Sequence, residues 1–151
     1  MVWADLFSII LAVVFGAAIG LEREVSGKAA GLRTNVLICL GAAVFTIISR
    51  QMAADTGEAL TRIAAQIVTG VGFLGAGAII QDRGGVYGLT TAATIWLVAS
   101  IGMACGAGFY GLAVLSTFTA IIVLIGLRQL AKFIERHRRK QKPESLPDEQ
   151  D

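Results

Sequence analysis

The sequence predicts an all-α integral membrane protein, a bundle of about five transmembrane helices with the N-terminus outside and the C-terminus inside. Three observations carry that expectation. From Gly84 to Leu127 the chain runs 44 residues without a charged side chain, about twice the ~20 apolar residues that one helix needs to cross a hydrocarbon core of ~30 Å. Over the whole chain 55% of residues are hydrophobic and 16% charged, where average soluble domains carry ~25% charge. Lysine and arginine divide 11 to 2 between alternate ends of the apolar segments, the asymmetry that sets membrane orientation.

Charged residues punctuate the spans in order. The first runs from Leu6 to Leu21 between Asp5 and Glu22, and the second from Thr34 to Ser49 between Arg33 and Arg50. Each has 16 residues, roughly 24 Å of helix, so flanking residues extend them or the bilayer thins locally. The third is Ile63 to Ile80. The uncharged stretch supplies the fourth, near Leu89 to Cys105, and the fifth, near Phe109 to Leu127, with the break at Gly106-Ala107-Gly108. With the C-terminus inside, Arg23, Lys28, Arg33, Arg83 and the seven basic residues from Arg128 onward face the interior, and only Arg50 and Arg62 face out. Residues 1–130 then form the membrane domain, and 131–151 a charged cytoplasmic tail. Membrane lipid is the first expected partner and nucleic acid is not one. The basic block from Arg136 to Lys142 reads as a positive-inside stop signal, or as a patch that holds anionic lipid.

Eighteen glycines against two prolines place single glycines inside apolar runs, as at close helix contacts. Gly16/Gly20 and Gly102/Gly106 have small-xxx-small spacing. Gly70-Val71-Gly72-Phe73-Leu74-Gly75 matches a dinucleotide fingerprint in letters only. That motif works at a strand-to-helix turn, and here it lies mid-span. Helix packing is the better reading for Gly70, Gly72, Gly75 and Gly77, with Ala65, Thr69, Gly72 and Ala76 on one stripe. So many small faces predict a tight bundle and a homo-oligomer. Neither a metal nor a cofactor is expected, because His137 is the only histidine and stands far from Cys39 and Cys105. No arrangement of nucleophile and base appears at motif spacing, so the chain reads as a non-enzyme.

The polar candidates gather at span ends. Glu22, Arg23, Glu24, Lys28 and Arg33 crowd where the first span leaves the membrane. Unpaired charge below the headgroups is expensive, so pairing of Glu22 or Glu24 with Arg23 or Arg33 is expected. Such a cluster serves as structural glue or as the mouth of an ion path. Arg62 and Gln66 share a helical face at the start of the third span, and a glutamine one turn deep needs a hydrogen-bond partner. Thr90, Thr91 and Thr94 open the fourth span. Thr90 or Thr91 can cap the helix, exposed N–H groups there favour an anion, and Thr94 can bond its own backbone.

Five motifs occur in order: Gly16-x-x-x-Gly20-Leu-Glu-Arg-Glu24, Gly31-Leu-Arg-Thr34, Arg62-x-Ala-Ala-Gln66-Ile-Val-x-Gly70, Gly72-Phe-Leu-Gly-Ala-Gly77 and Gly88-Leu-Thr-Thr-Ala-Ala93-x-x-Trp96. On these the chain resembles the MgtC/SapB family over about residues 5 to 128, in a short form lacking the soluble C-terminal domain of longer members. The resemblance implies a multi-pass protein of the bacterial inner (plasma) membrane. It also implies a link to growth under magnesium limitation, to acid stress and to survival inside host cells. It carries family-typical polar positions onto Glu22, Arg23, Glu24, Arg33, Arg62, Gln66, Thr90 and Thr91. Two functional expectations result: a homeostatic protein acting on itself or on other membrane machinery, and a small transporter or channel for Mg²⁺ or H⁺.

Overall fold

A computed structural model describes residues 2–56, 59–82 and 85–141, with the side chains of 53–56, 59–63, 82, 132, 135 and 138–141 excepted. The acidic end of the tail, Glu58, Arg83 and the side chains of Asp55 and Arg62 therefore lie outside the described residues. Five α-helices account for nearly all of the rest: α1 (Val2–Val25), α2 (Leu32–Thr56), α3 (Ala59–Gly77), α4 (Leu89–Ala107) and α5 (Tyr110–Gln141). In α1, α2, α4 and α5 the apolar stretch is long enough to cross a bilayer, whereas in α3, among the described side chains, it covers Ala64–Gly77. The expected third span is thus helical only as far as Gly77. Beyond it come two short strands that the sequence did not announce, β1 (Ile80–Asp82) and β2 (Gly85–Tyr87), paired antiparallel with Ile80 opposite Tyr87.

Glycines bound α4 at both ends. Gly88 precedes it at φ 89°, a left-handed conformation in which a Cβ would also strike the Ala78 carbonyl oxygen. Gly108 follows it at φ 84°, and the Phe109 N–H reaches back to the Ala104 carbonyl at 2.8 Å, closing the helix as a left-handed C-terminal turn does. The break within the uncharged stretch falls at the expected place. The last helix runs on well past Leu127, to Gln141.

α2 is the central element and touches α1, α3 and α4, while α5 lies against α1 and α4. Glycines bring the three central backbones together. A Cβ on Gly16 would lie 2.9 Å from the Asn35 carbonyl oxygen and from Cys39 Cβ, and one on Gly20 2.8 Å from Leu32 Cα. On α4, a Cβ at Gly102 would strike the Cys39 carbonyl oxygen, and one at Gly106 the Ala43 carbonyl oxygen. Cys39 and Cys105 are free thiols in the buried cluster that these contacts enclose, with Ile19, Ala43, Val98 and Ile101. In hydrocarbon the helices gain little by excluding solvent, so close approach and dispersion hold them. The perimeter is apolar as a lipid-facing surface must be, with Phe7, Ile10 and Val14 of α1 and Leu115, Phe118 and Ile122 of α5 exposed.

The third helix departs from expectation. It packs through Ile67, Val71 and Gly75, a row at every fourth residue, against Ala42 of α2 and Ala92, Ile95 and Ala99 of α4. Around Ile67 and Val71 the receiving residues are mostly small, Ala42 and Ala99 beside Ile95, while at Gly75 the glycine is on α3. Of its four glycines only Gly75 meets a neighbour. Gly70, Gly72 and Gly77 have nothing within 4 Å of an added Cβ, so within the chain they are not contact residues, and the Ala65, Thr69, Gly72, Ala76 stripe is exposed.

Gly102→Ala should therefore destabilise the bundle by about 1–3 kcal/mol through overpacking. Gly41→Ala, on α2 with open space around it, should be neutral or slightly stabilising. Unfolding in mild detergent titrated with SDS measures both.

Candidate functional site

Polar side chains from three helices converge at one rim of the bundle. The last turn of α1 contributes Glu22 and Arg23. Arg23 is 2% exposed, and its Nη2 donates a 2.8 Å hydrogen bond to Thr91 Oγ1 in the first turn of α4. Ser26, one turn beyond Glu22, donates to Glu22 Oε1 at 2.7 Å and accepts from the Arg128 guanidinium of α5. These contacts tie the end of α1 to the start of α4 and to α5, placing the three on one rim. At the opposite rim Asp5 of α1 pairs with Arg50 of α2 and accepts from Gln51 Nε2 at 3.0 Å. There also the Ser8 hydroxyl and the Tyr110 phenol share a 2.9 Å hydrogen bond.

The first rim encloses a cleft of about 600 Å³ lined by Glu22, Arg23, Ser26, Lys28, Tyr87, Gly88, Thr90, Thr91 and Arg128, with Val123, Leu124 and Leu127 on its apolar side. Two atoms of the expected cluster are buried there without partners, Arg23 Nε and Glu22 Oε2. Five sequence candidates thus come together: Glu22, Arg23, Lys28, Thr90 and Thr91. The others do not join them. Glu24 accepts at 2.9 Å from the N–H of Leu32, the first residue of α2, where the helix dipole favours an anion. Its carboxylate occupies the space that a Cβ on Gly31 would need. Arg33 is exposed on α2, outside the cleft lining. Thr94 is buried and donates to the Thr90 carbonyl at 2.8 Å. Gln66 lies exposed in a separate apolar groove between α2 and α3.

Two expectations need correction. Neither Glu22 nor Glu24 pairs with Arg23 or Arg33; among the described residues the ion pair is Asp5–Arg50 at the far rim. Glu22 is held through one oxygen by Ser26 and Glu24 by a helix terminus, and neither acid forms an ion pair with these arginines. Nor does Thr90 or Thr91 cap α4, because Gly88 occupies the cap position with no side-chain bond and the Thr91 hydroxyl is engaged by Arg23. Sequence reasoning also missed Asn35, fully buried, whose Nδ2 donates to the Ala30 and Gly31 carbonyls at 2.7 and 2.8 Å. It missed Ser26 and Arg128 too. The spacing of Ser26 from Glu22, one helical turn, was the available signal for the serine. Among the described residues no group of three or more His, Cys, Asp or Glu side chains could hold a metal ion.

Four apolar crossings, a glycine-sealed core and a basic cleft at one rim define a multi-pass α-helical membrane protein. The MgtC family model matches residues 9–133, and the chain belongs to that family. It is 48% identical over 128 residues to the Escherichia coli K12 protein named "Putative magnesium transporter YhiD", covering 81% of this chain and 60% of that one. It is 45% identical over 124 residues to Protein MgtC of Brucella abortus, covering 82% and 51%. To Protein MgtC of Salmonella typhimurium it is 44% identical over 131 residues, covering 87% and 55%. The chain thus spans between half and three-fifths of the length of these curated relatives. No solved structure matches it.

Replacing Thr91 with valine removes the acceptor of a buried guanidinium and should cost about 1–3 kcal/mol. Arg33→Ala, at an exposed position, should fall within about 0.5 kcal/mol of wild type. The same SDS titration compares the two.

Proposed function

We propose that this is a non-enzymatic protein of the bacterial inner membrane that supports adaptation to low magnesium, acid or host-cell stress. It acts by helix contact with a second copy of itself or with other membrane machinery, its N-terminus outside and its C-terminus inside. The observation that carries this reading is the contrast between a sealed core and an uncovered third helix. Phe73 is 81% exposed, Gly70, Gly72 and Gly77 offer a backbone open to close approach, and the groove beside them, about 530 Å³, is apolar except for Gln66. An amide in hydrocarbon needs a partner, and a helix from a second copy would supply one.

Mg²⁺ or H⁺ transport is the alternative, favoured by the word transporter in the name of the Escherichia coli relative. Against it, the interiors of the five apolar segments contain no carboxylate, and Mg²⁺ is ordinarily held through carboxylates and waters. Two buried hydroxyls in the bundle are spent on their own helices, Thr46 on the Ala42 carbonyl and Thr117 on the Ala113 carbonyl, each at 2.7 Å.

Purified protein in liposomes should give no Mg²⁺ flux above empty vesicles; robust flux abolished by Gln66→Ala would establish the transport reading instead. Gly72→Leu should leave the subunit folded yet shift crosslinked species in native membranes toward the monomer. An unchanged crosslinking pattern would show that this face meets lipid.

A further inference from the structure

We propose that the rim cleft is the headgroup site of an anionic glycerophospholipid of the phosphatidylglycerol class, with an acyl chain lying between α4 and α5. Three cationic side chains, Arg23, Lys28 and Arg128, line the cleft against one carboxylate, Glu22. Arg23 is the decisive one. It is almost wholly buried, only its Nη2 has a protein partner, and its Nε is left without an acceptor. Beside it begins α4, a helix of 19 residues. Its first intrahelical bond is donated by the Ala92 N–H to the Gly88 carbonyl, so the N–H groups of Leu89, Thr90 and Thr91 precede the helical ladder. Gly88 has no side chain to cap them. Buried guanidinium and free helix N-terminus together call for a phosphoryl anion.

Two further features select its source. Glu22 Oε2 is a buried acceptor without a donor, so the ligand should bring a hydrogen-bond donor as well as an anion, and a glycerol headgroup supplies both in its hydroxyls and phosphate. The cleft also shares Thr90, Val123 and Leu124 with an apolar groove of about 450 Å³ that continues along α4 and α5 past Leu97 and Leu115. Free phosphate would leave the groove unused. The site is independent of whether the chain moves an ion.

Full-length protein in mild detergent, titrated with phosphatidylglycerol, phosphatidylethanolamine or phosphatidylcholine of equal chain length and followed by native mass spectrometry, tests the assignment. Phosphatidylglycerol should bind at least about tenfold more tightly than phosphatidylcholine. Lys28→Gln with Arg128→Gln, both exposed positions, should remove about tenfold or more of that affinity with helicity unchanged. Arg33→Gln with Arg136→Gln, the same charge loss outside the cleft, should not. Equal binding of the lipids, or equal losses in the two double variants, would overturn the proposal. So would inorganic phosphate that displaces phosphatidylglycerol at equimolar concentration, which would assign the cleft to the free anion.

Discussion

Backbone-to-backbone approach among α1, α2 and α4 is the constraint from which the remaining architecture follows. Lipid tails are as apolar as leucine, so these helices cannot associate merely by hiding side chains; they must touch more closely with each other than with acyl chains. Gly16 and Gly20 admit α2 from one side, and Gly102 and Gly106 let α4 in from the other. With the centre packed in this way around Cys39, Val98 and Ile101, α3 and α5 take flanking positions. Polar groups are then pushed to the two rims, where most of the ionisable side chains of the described residues lie.

The two rims are built differently. At one, Asp5 and Arg50 neutralise each other across α1 and α2. At the other, Arg23 bonds to a neutral threonine, Glu22 to a neutral serine, and Glu24 to a backbone N–H. Opposite charges sit near one another there without cancelling. The Arg23 guanidinium, bonded to a neutral threonine and near Glu22 without an ion pair, lies beside the N-terminus of α4. The surplus of positive charge in the cleft comes from Arg23, Lys28 and Arg128 standing against Glu22 alone, with Glu24 turned to the start of α2.

Much of this could be read along the chain, and the unread part has a common cause. Span limits, the break at Gly106–Gly108 and the Gly16/Gly20 and Gly102/Gly106 contacts are local patterns: charge-free length and residue spacing on one helix. Partnerships are not local. Thr91 looked like a cap because it follows Gly88, but its hydroxyl is claimed by an arginine 68 positions earlier. Gly72 looked like a contact because it is small, yet the row that packs is Ile67, Val71 and Gly75, against residues of α2 and α4 that no feature of α3 itself could reveal. Spacing tells which residues share a face. It does not tell which face finds a neighbour, nor did it foreshadow the paired strands before α4, which are too short to show an alternating pattern.

The left-handed turn at Gly108 joins α4 directly to α5, and neither the turn nor the helix ends beside it carry an Asp, Glu, Lys or Arg. That matters for biogenesis. Carrying one elementary charge through a membrane potential of 100 mV involves ~2.3 kcal/mol, besides the work of dehydrating it. The segment from Leu89 to Leu127 can enter as a single folded hairpin with neither term to meet, its leading tip electrically silent. The α2–α3 connection lies between Arg50 and Arg62, so a hairpin of α2 and α3 carries charge that the α4–α5 hairpin does not.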